Sequence, residues 1–305
     1  CRNPETAFGS IEDDCMRRDL TINALYTNIS TGEIVDITGK GVDDIKNHII
    51  RTPNDPDTIY DDDPLRILRC IRFASRYGWE IEYDTYEGMV RNVSRLEIIT
   101  KERVKDEFCK MLTCKHPIMA MELLRKIGAM HYVIPELEET YSMTQNEYHF
   151  GTVWEHTMMV LEGTKDDNMI LRISALLHDI GKIRVCTEED GKIHFLKHEL
   201  KSGEMIDELL RPLKFSNEII KEVTFLVRNH MICKTWGSEC EYMKDKKLRR
   251  FQYECKTEER FRNLMTIIDA DNNAYAADKC MPKQVEFILS RTEAMKAEGS
   301  AMFGY

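Results

Sequence analysis

The chain has 305 residues, 42% hydrophobic and 31% charged, which is long and apolar enough for more than one packed unit and excludes a disordered polymer. Its formal net charge of -10 excludes a uniformly basic nucleic-acid surface, so any contact with RNA has to come from local strips. Ten cysteines lie scattered without a Cys-x-x-Cys spacing, and neither a signal peptide nor a long apolar span is visible; together these predict reduced thiols, no membrane and a cytoplasmic setting.

The opening Cys1-Arg2-Asn3-Pro4 has no start-like character, so the chain reads as beginning within a longer protein. Residues 1–54 predict the second half of a small α/β unit, with strands over 21–29, 34–36 and 48–51 and a turn at Gly32-Glu33. Strands this few and short do not make a stable sheet unaided. Within Glu12-Asp13-Asp14-Cys15-Met16-Arg17-Arg18-Asp19, Arg18 is a planar multi-donor cation suited to phosphate. Asn23 offers a donor and an acceptor suited to a ribose hydroxyl; the bland alternative is a solvated approach to a strand. Asp36, Gly41 and Asp44 read as marking a turn and a hinge-like loop, or simply as turn residues, and Asp55-Pro56-Asp57 reads as a turn.

Residues 55–140 are predicted helical. Asp61-Asp62-Asp63-Pro64-Leu65-Arg66 marks a helix start, with Asp63 able to cap, Pro64 suited to the first position and acids at the positive end of the helix dipole. Leu65, Leu68, Ile71 or Arg72, and Ala74 or Ser75 then recur at the spacing of a buried face, while Arg66, Arg69, Arg72 and Arg76 share a flank. Asp63 and Arg66 have two readings. One is an N-cap with an i,i+3 ion pair. The other is a base reader: a carboxylate only accepts and a guanidinium only donates, so together they complement the amino group and ring nitrogen of cytosine or adenine. Further helices are expected over 84–92, 100–112 and 117–127. Thr100 can cap the second, although Arg103 stands where a capping box has Glu, and Gly128 closes the third. Arg103 and Glu107 are spaced as an i,i+4 pair.

Arg17-Arg18-Asp19 with Asn23 and Ala24, then Asp36, Gly41 and Asp44, then Asp62-Asp63-Pro64-Leu65-Arg66, then Arg103 and Glu107 together resemble the tRNA nucleotidyltransferase and bacterial poly(A) polymerase family. The branch is the one in which a protein residue pair replaces a nucleic-acid template. The resemblance implies that Arg18, Asp19, Asn23, Asp63, Arg66 and Arg69 bind the nucleotide, with Asp63 and Arg66 selecting CTP or ATP and Arg103 and Glu107 supporting the recognition helix. It also implies an upstream half of the head, carrying a glycine-rich loop and the aspartates that hold Mg2+ for phosphoryl transfer. Those aspartates are expected to precede Cys1, so the fragment by itself is expected to be inactive in transfer.

From about residue 141 the chemistry changes. Tyr148-His149-Phe150-Gly151-Thr152-Val153-Trp154-Glu155-His156, then Leu176-Leu177-His178-Asp179-Ile180-Gly181-Lys182, then His198, His230 and Asp271 resemble the HD-domain family. Imidazoles and a carboxylate from separate helices can converge on one divalent ion, and adjacent His178 and Asp179 allow the carboxylate to bridge a second. The expected ligands of a divalent transition metal are His156, His178, Asp179 and Asp271, with His198 and His230 adding a second metal, binding a phosphate or only supporting the ligands from behind.

Residues 283–296 predict another helix, and Lys244, Lys246, Lys247, Arg249 and Arg250 form a basic cluster that is a solvated face or a tRNA backbone contact. The expected fold is mainly α with a small α/β portion: a head remnant over 1–54, a helical neck over 55–140, an all-α HD domain over 141–280 and the start of a helical tail over 281–305. The expected function is C and A addition to the tRNA 3' end from CTP and ATP, self-association being left open. The alternatives are a poly(A) polymerase of the same lineage, a metal-dependent HD phosphohydrolase and a non-catalytic RNA-binding subunit.

Overall fold

Ser10 and Asp13 exchange side-chain and backbone hydrogen bonds and so start helix α1 (Ile11–Met16), in a computed structural model that describes residues 9–146, 151–165, 167–299 and 303. His149, the opening Cys1-Arg2-Asn3-Pro4 and the terminal Gly304 and Tyr305 lie outside the described residues. The chain divides into two units, Cys1–Val133 and Ile134–Tyr305.

In the first unit the strand expected over 21–29 is a 3-10 turn at Thr21–Asn23 followed by β1 (Leu25–Thr27), which pairs antiparallel with β2 (Ile34–Asp36). Asp36 does make the expected turn: its carboxylate accepts the Thr38 hydroxyl at 2.8 Å and the Val42 N–H at 2.9 Å, leading into α2 (Gly41–Asn47). Asp44 is not a turn residue. It sits buried on α2, accepting the Thr21 hydroxyl at 2.7 Å and Arg51 Nε at 3.1 Å. Gly41 is required there, since a Cβ would stand 2.8 Å from the Thr21 carbonyl. The expected third strand does not join this hairpin. β3 (Ile49–Ile50) follows left-handed His48 (φ 59) and pairs in parallel with a later strand, β4 (Glu80–Ile81).

Asp55-Pro56-Asp57 opens a helix rather than a turn. Asp55 accepts the Thr58 N–H at 3.3 Å and Pro56 fills the first position of α3 (Pro56–Asp62). Asp63 ends α3 and, beyond Pro64, accepts the Leu65 N–H at 3.2 Å, so one residue closes α3 and starts α4 (Leu65–Tyr77). Helix α4 buries Leu65, Ile67, Leu68, Cys70, Ile71 and Ala74, each large aliphatic contributing about 1.5–3 kcal/mol relative to exposure. That face packs on α6 (Lys101–Leu112) and α7 (Pro117–Lys126), while α5 (Tyr83–Asn92) covers α3. Thr100 occupies the cap position of α6 but makes no side-chain capping bond.

In the second unit a capping box between Thr152 and Glu155 starts α8 (Val153–Gly163). Then come α9 (Met169–Leu177), the short α10 (Lys182–Val185), a hairpin of β5 (Thr187–Glu189) and β6 (Lys192–His194), α11 (His198–Leu210), α12 (Asn217–Asn229), α13 (Asp245–Cys255), α14 (Glu258–Asn273) and α15 (Gln284–Ala297). Helix α9 packs on α8 and α12, α12 on α11, and α14 on α8. Trp236, Phe251, Phe261 and Ile288 fill a core that joins α13, α14 and α15. The fold is mainly α with a small α/β portion, and no described helix is long and apolar enough to cross a membrane.

Candidate nucleotide cavity and metal centre

Helix α4 faces the chain around α1 across an open cavity of about 670 Å³ in the first unit. Arg18, Asp19, Asn23, Asp63, Arg66 and Arg69 all line it. Asp19, nearly buried, ties the two sides together by accepting Arg69 Nε at 2.7 Å and the Asn23 amide at 3.1 Å. Arg18 donates to Asp14 at 2.8 Å and to the Asn23 carbonyl at 2.9 Å. Asp14 and Tyr26 carry no site role in the sequence reading. Yet the Tyr26 hydroxyl donates to Asp14 at 2.5 Å, and it, with Arg17 and Arg18, holds the Asp14 carboxyl far below the usual range. The only signal for Asp14 was its place in the acidic run before Arg17.

Asp63 and Arg66 share the cavity but do not pair with each other. Arg103 reaches Asp63 at 2.7 Å, while Arg66 bridges to Asp62 at 2.8 Å and donates to the Ile59 carbonyl at 3.1 Å. The expected pair between Arg103 and Glu107 is also absent. Arg103 points to Asp63, whereas buried Glu107, outside the cavity lining, accepts Arg72 Nε at 2.6 Å and Lys110 at 3.1 Å. Both residues therefore reach α4, by separate bonds, because α6 lies along α4 and presents successive turns to different partners. The four arginines of the α4 flank likewise diverge, with Arg66 on Asp62, Arg69 on Asp19, Arg72 on Glu107 and Arg76 over the Tyr77 ring.

In the second unit all six expected metal residues converge. His156 stands on α8, His178 and Asp179 end α9, His198 opens α11, His230 ends α12, and Asp271 lies in the last turn of α14. His156, His178 and Asp179 form one possible ligand set and Asp179, His198 and His230 a second, so Asp179 is common to both. Its two oxygens divide the work: Oδ2 is 3.5 Å from His156 and 3.3 Å from His178, and Oδ1 is 3.1 Å from His198 and 3.7 Å from His230. Asp271 is nearest His156, at 3.1 Å. A close approach makes the cluster possible, because Gly181 lies where a Cβ would be 2.4 Å from the Ser202 nitrogen.

The donor set fits a divalent cation. Each histidine has Nδ1 against a backbone carbonyl: His156 on Ala274 at 3.3 Å, His178 on Ala175 at 2.8 Å, His198 on Phe195 at 2.9 Å and His230 on Val227 at 2.7 Å. A carbonyl can only accept, so the proton sits on Nδ1 and Nε2 is turned inward as a ligand atom. Neutral Nε2 lone pairs and carboxylates repel unless a cation or a proton lies between them. Burial lowers His156 and takes His230 down to about 3, whereas for His178 the Asp179 carboxylate outweighs burial and raises it. Burial would raise Asp179 and Asp271, but the charges around them, His178 and Lys182 for the first and Lys234 for the second, hold both well below the carboxylate range.

Two lysines were not foreseen as site residues. Lys182 Nζ is 2.7 Å from Asp179 and 2.7 Å from Gln145 Oε1, and Lys234 Nζ is 2.9 Å from Asp271 and 2.8 Å from Asn272 Oδ1. Lys182 was visible within Leu-His-Asp-Ile-Gly-Lys, while nothing in the sequence marked Lys234. With Phe195 and Tyr275 they line a cavity of about 440 Å³ beside His198. The basic cluster at 244–250 starts at the cap residue Lys244 and runs onto α13 with its cations exposed; Lys247 sits over the Trp236 ring.

The chain matches a family described as "Poly A polymerase head domain" over residues 1–51, one described as "Probable RNA and SrmB- binding site of polymerase A" over 78–140, and "HD domain" over 146–272. It is 33% identical over 229 residues to the multifunctional CCA protein of Neisseria gonorrhoeae, covering 73% of this chain and 54% of that protein. The mitochondrial CCA tRNA nucleotidyltransferase of Saccharomyces cerevisiae is 41% identical over 128 residues, 41% of this chain and 23% of that one. In fold the chain is similar to the Bacillus stearothermophilus CCA-adding enzyme in complex with CTP (TM-score 0.63, 19% identity, covering 97% of this chain and 67% of that one). A tRNA nucleotidyltransferase complexed with a primer tRNA and an incoming ATP analogue gives a TM-score of 0.63 at 17% identity, covering 96% and 76%. The chain spans about half the length of the curated relatives it matches. It belongs to the tRNA nucleotidyltransferase and poly(A) polymerase family, in the lineage that carries an HD domain after the RNA-binding segment.

Proposed function

We propose that the chain, as a member of this family, forms part of a cytoplasmic tRNA 3'-end nucleotidyltransferase that adds C and A from CTP and ATP, with Asp63 and Arg66 reading the base. The observation that carries this reading is the convergence of Arg18, Asp19, Asn23, Asp63, Arg66 and Arg69 on one open cavity. Asp63 and Arg66 are fixed separately, by Arg103 and Asp62, so a base does not have to break an ion pair between them before it binds. A carboxylate beside a guanidinium suits the amino group and ring nitrogen of cytosine and adenine, and opposes the reversed pattern of guanine and uracil. Arg18 and Asn23 then serve the triphosphate and sugar, Mg2+ is the metal of transfer, and tRNA is the acceptor. On this reading residues 1–54 complete the head, 55–140 form the neck, 141–280 the HD domain and 281–305 begin the tail.

Calorimetric titration of the chain with each of the four nucleoside triphosphates tests it. CTP and ATP should bind tighter than GTP and UTP by about 1–3 kcal/mol, and Asp63→Ala should erase the difference. Equal affinity for all four would end the base-reading role, and binding of ATP alone is the outcome expected of a poly(A) polymerase.

A second reading is favoured by the buried histidine cluster: the HD unit is a metal-dependent phosphohydrolase. His156, His178 and Asp179 would hold one divalent transition metal, with Asp179, His198 and His230 holding another and Asp271 completing the first set. Such an ion supplies a bound water of lowered pKa. Lys182 and Lys234 place ammonium groups at the same cavity, where they favour an anionic substrate. Release of product from a 2',3'-cyclic phosphate by the metal-loaded chain, lost in Asp179→Asn, is the expected result; a metal-loaded chain with no such activity would remove the reading.

A further inference from the structure

Lys234 is held more firmly than a cation that merely lines a cavity. It opens a 3-10 turn (Lys234–Trp236) just after α12, and its side chain is only 14% exposed. Its Nζ lies 2.9 Å from Asp271 Oδ2, 2.8 Å from Asn272 Oδ1 and 4.0 Å from the centre of the Tyr275 ring. Behind it the hydrogen bonds close into a ring. Asn272 Nδ2 donates to Gln284 Oε1 at 3.0 Å, and Gln284 Nε2 donates to the carbonyls of Cys233 and Gly237 at 3.0 and 2.7 Å, the two residues that flank the Lys234 turn. An ammonium only donates and a carbonyl only accepts, so each amide has one possible orientation. Asn272 and Gln284 are fully buried, and a buried network with its donors and acceptors matched is rigid.

The ring bears on Asp271, whose two oxygens face opposite ways. Oδ1 is turned to the histidines, 3.1 Å from His156 Nε2 and 3.9 Å from His178 Nε2. Oδ2 is turned to Lys234, and apart from that ion pair it accepts no hydrogen bond among the described residues. A carboxylate can give a cation one oxygen or both. An ammonium fixed on Oδ2 decides for one.

We propose that Lys234 is a positioning residue of the metal centre: it occupies Oδ2 of Asp271 so that this carboxylate offers a divalent cation Oδ1 alone, and Asn272 and Gln284 hold it in that place. The inference rests on the metal-binding reading of the HD unit. With one protein ligand fewer, the ion keeps room for a water or an anion. The same ammonium stands at the wall of the 440 Å³ cavity, where with Lys182 it attracts that anion. A positive charge on a ligand carboxylate also weakens its hold on a cation, so Lys234 trades metal affinity for anion binding. A residue that served only to support the fold would do the reverse, and its loss would loosen the metal.

Titration of the chelator-treated chain with Co2+ tests the proposal, because the visible absorption of this ion weakens as its coordination number rises. Lys234→Met frees Oδ2 and removes the charge. It should tighten Co2+ binding by about tenfold, the scale on which groups behind a ligand act. It should also lower the absorption per bound ion and abolish most of the spectral change that inorganic phosphate produces in the parent. Asn272→Leu keeps the charge but releases the ammonium; it should lower the absorption by a smaller amount, and it carries the test if Lys234→Met does not fold. In an Asp271→Asn chain, Lys234→Met should leave the spectrum unchanged, which assigns the effect to that carboxylate. Parent-like absorption in both Lys234→Met and Asn272→Leu, or looser Co2+ binding in Lys234→Met, would overturn the proposal and leave the metal reading standing. A parent chain that takes up no Co2+ would overturn the metal reading and this inference with it.

Discussion

Glu107→Ala is expected to cost the first unit about 3–5 kcal/mol, the range for breaking a buried ion pair from one side. The geometry sets that figure. Glu107 is 4% exposed and accepts Arg72 Nε at 2.6 Å, and the Arg72 side chain is itself only 11% exposed, so removing the carboxylate strands a guanidinium away from water. Lys110 adds little: its side chain is 56% exposed, and an exposed partner is worth about 1 kcal/mol or less. A global urea transition is not two-state in a chain of two units. Hydrogen exchange of the α4 and α6 amides is therefore the measurement, and both helices should lose protection together. Glu107→Gln keeps an acceptor for Arg72 and should lose about half as much. Arg72→Met combined with Glu107→Leu removes both charges and should return to within about 1–2 kcal/mol of the parent. A loss under about 1 kcal/mol in Glu107→Ala, or a double variant as unstable as the single one, would refute the argument that a stranded buried charge governs the effect.

Acidification should destabilise the metal-free second unit. Unfolded histidines take up protons near 6.5, whereas burial lowers His156 and takes His230 to about 3; each contributes stability that is complete above 6.5 and lost as pH falls. His178, raised because Asp179 outweighs its burial, contributes in the opposite sense only above 6.5, so below 6.5 the loss comes from His156 and His230, about 1.4 kcal/mol per pH unit for each. Calorimetry should show a lower melting temperature at about pH 5 than at about pH 7.5, and a constant or rising one would contradict the assignment. Gly181→Ala places a methyl 2.4 Å from the Ser202 nitrogen and 2.5 Å from the His198 carbonyl oxygen, both backbone atoms, and should cost about 1–3 kcal/mol while reducing bound metal. Full metal content in that variant would show that α11 yields without disturbing His198. Adding a divalent transition metal to chelator-treated chain at a hundred times its dissociation constant should stabilise the second unit by about 2.7 kcal/mol. Asp179→Asn, which weakens both ligand sets, should remove most of that shift; an undiminished shift would place the metal elsewhere.

Local signals determined much of this protein in advance. Asp63-Pro64 and the apolar spacing after it identify α4, Gly78 at φ 72 ends it, and adjacent His178-Asp179 marks a buried cluster of imidazoles and carboxylates; caps, left-handed glycines and helical periodicity are legible because they act within four or five residues. Residues 55–57 were misread for want of one step of the same logic, since Asp-Pro caps and starts a helix as readily as it makes a turn. Tertiary structure alone decided the partners. Arg69 finds Asp19 across fifty positions, Arg103 takes Asp63 in place of Glu107, β3 leaves its hairpin for β4, and Lys234 arrives at Asp271 with no motif around it. A charged side chain's spacing limits which neighbours on its own helix it can reach, but its partner is whichever opposite charge packing brings close and shields from water.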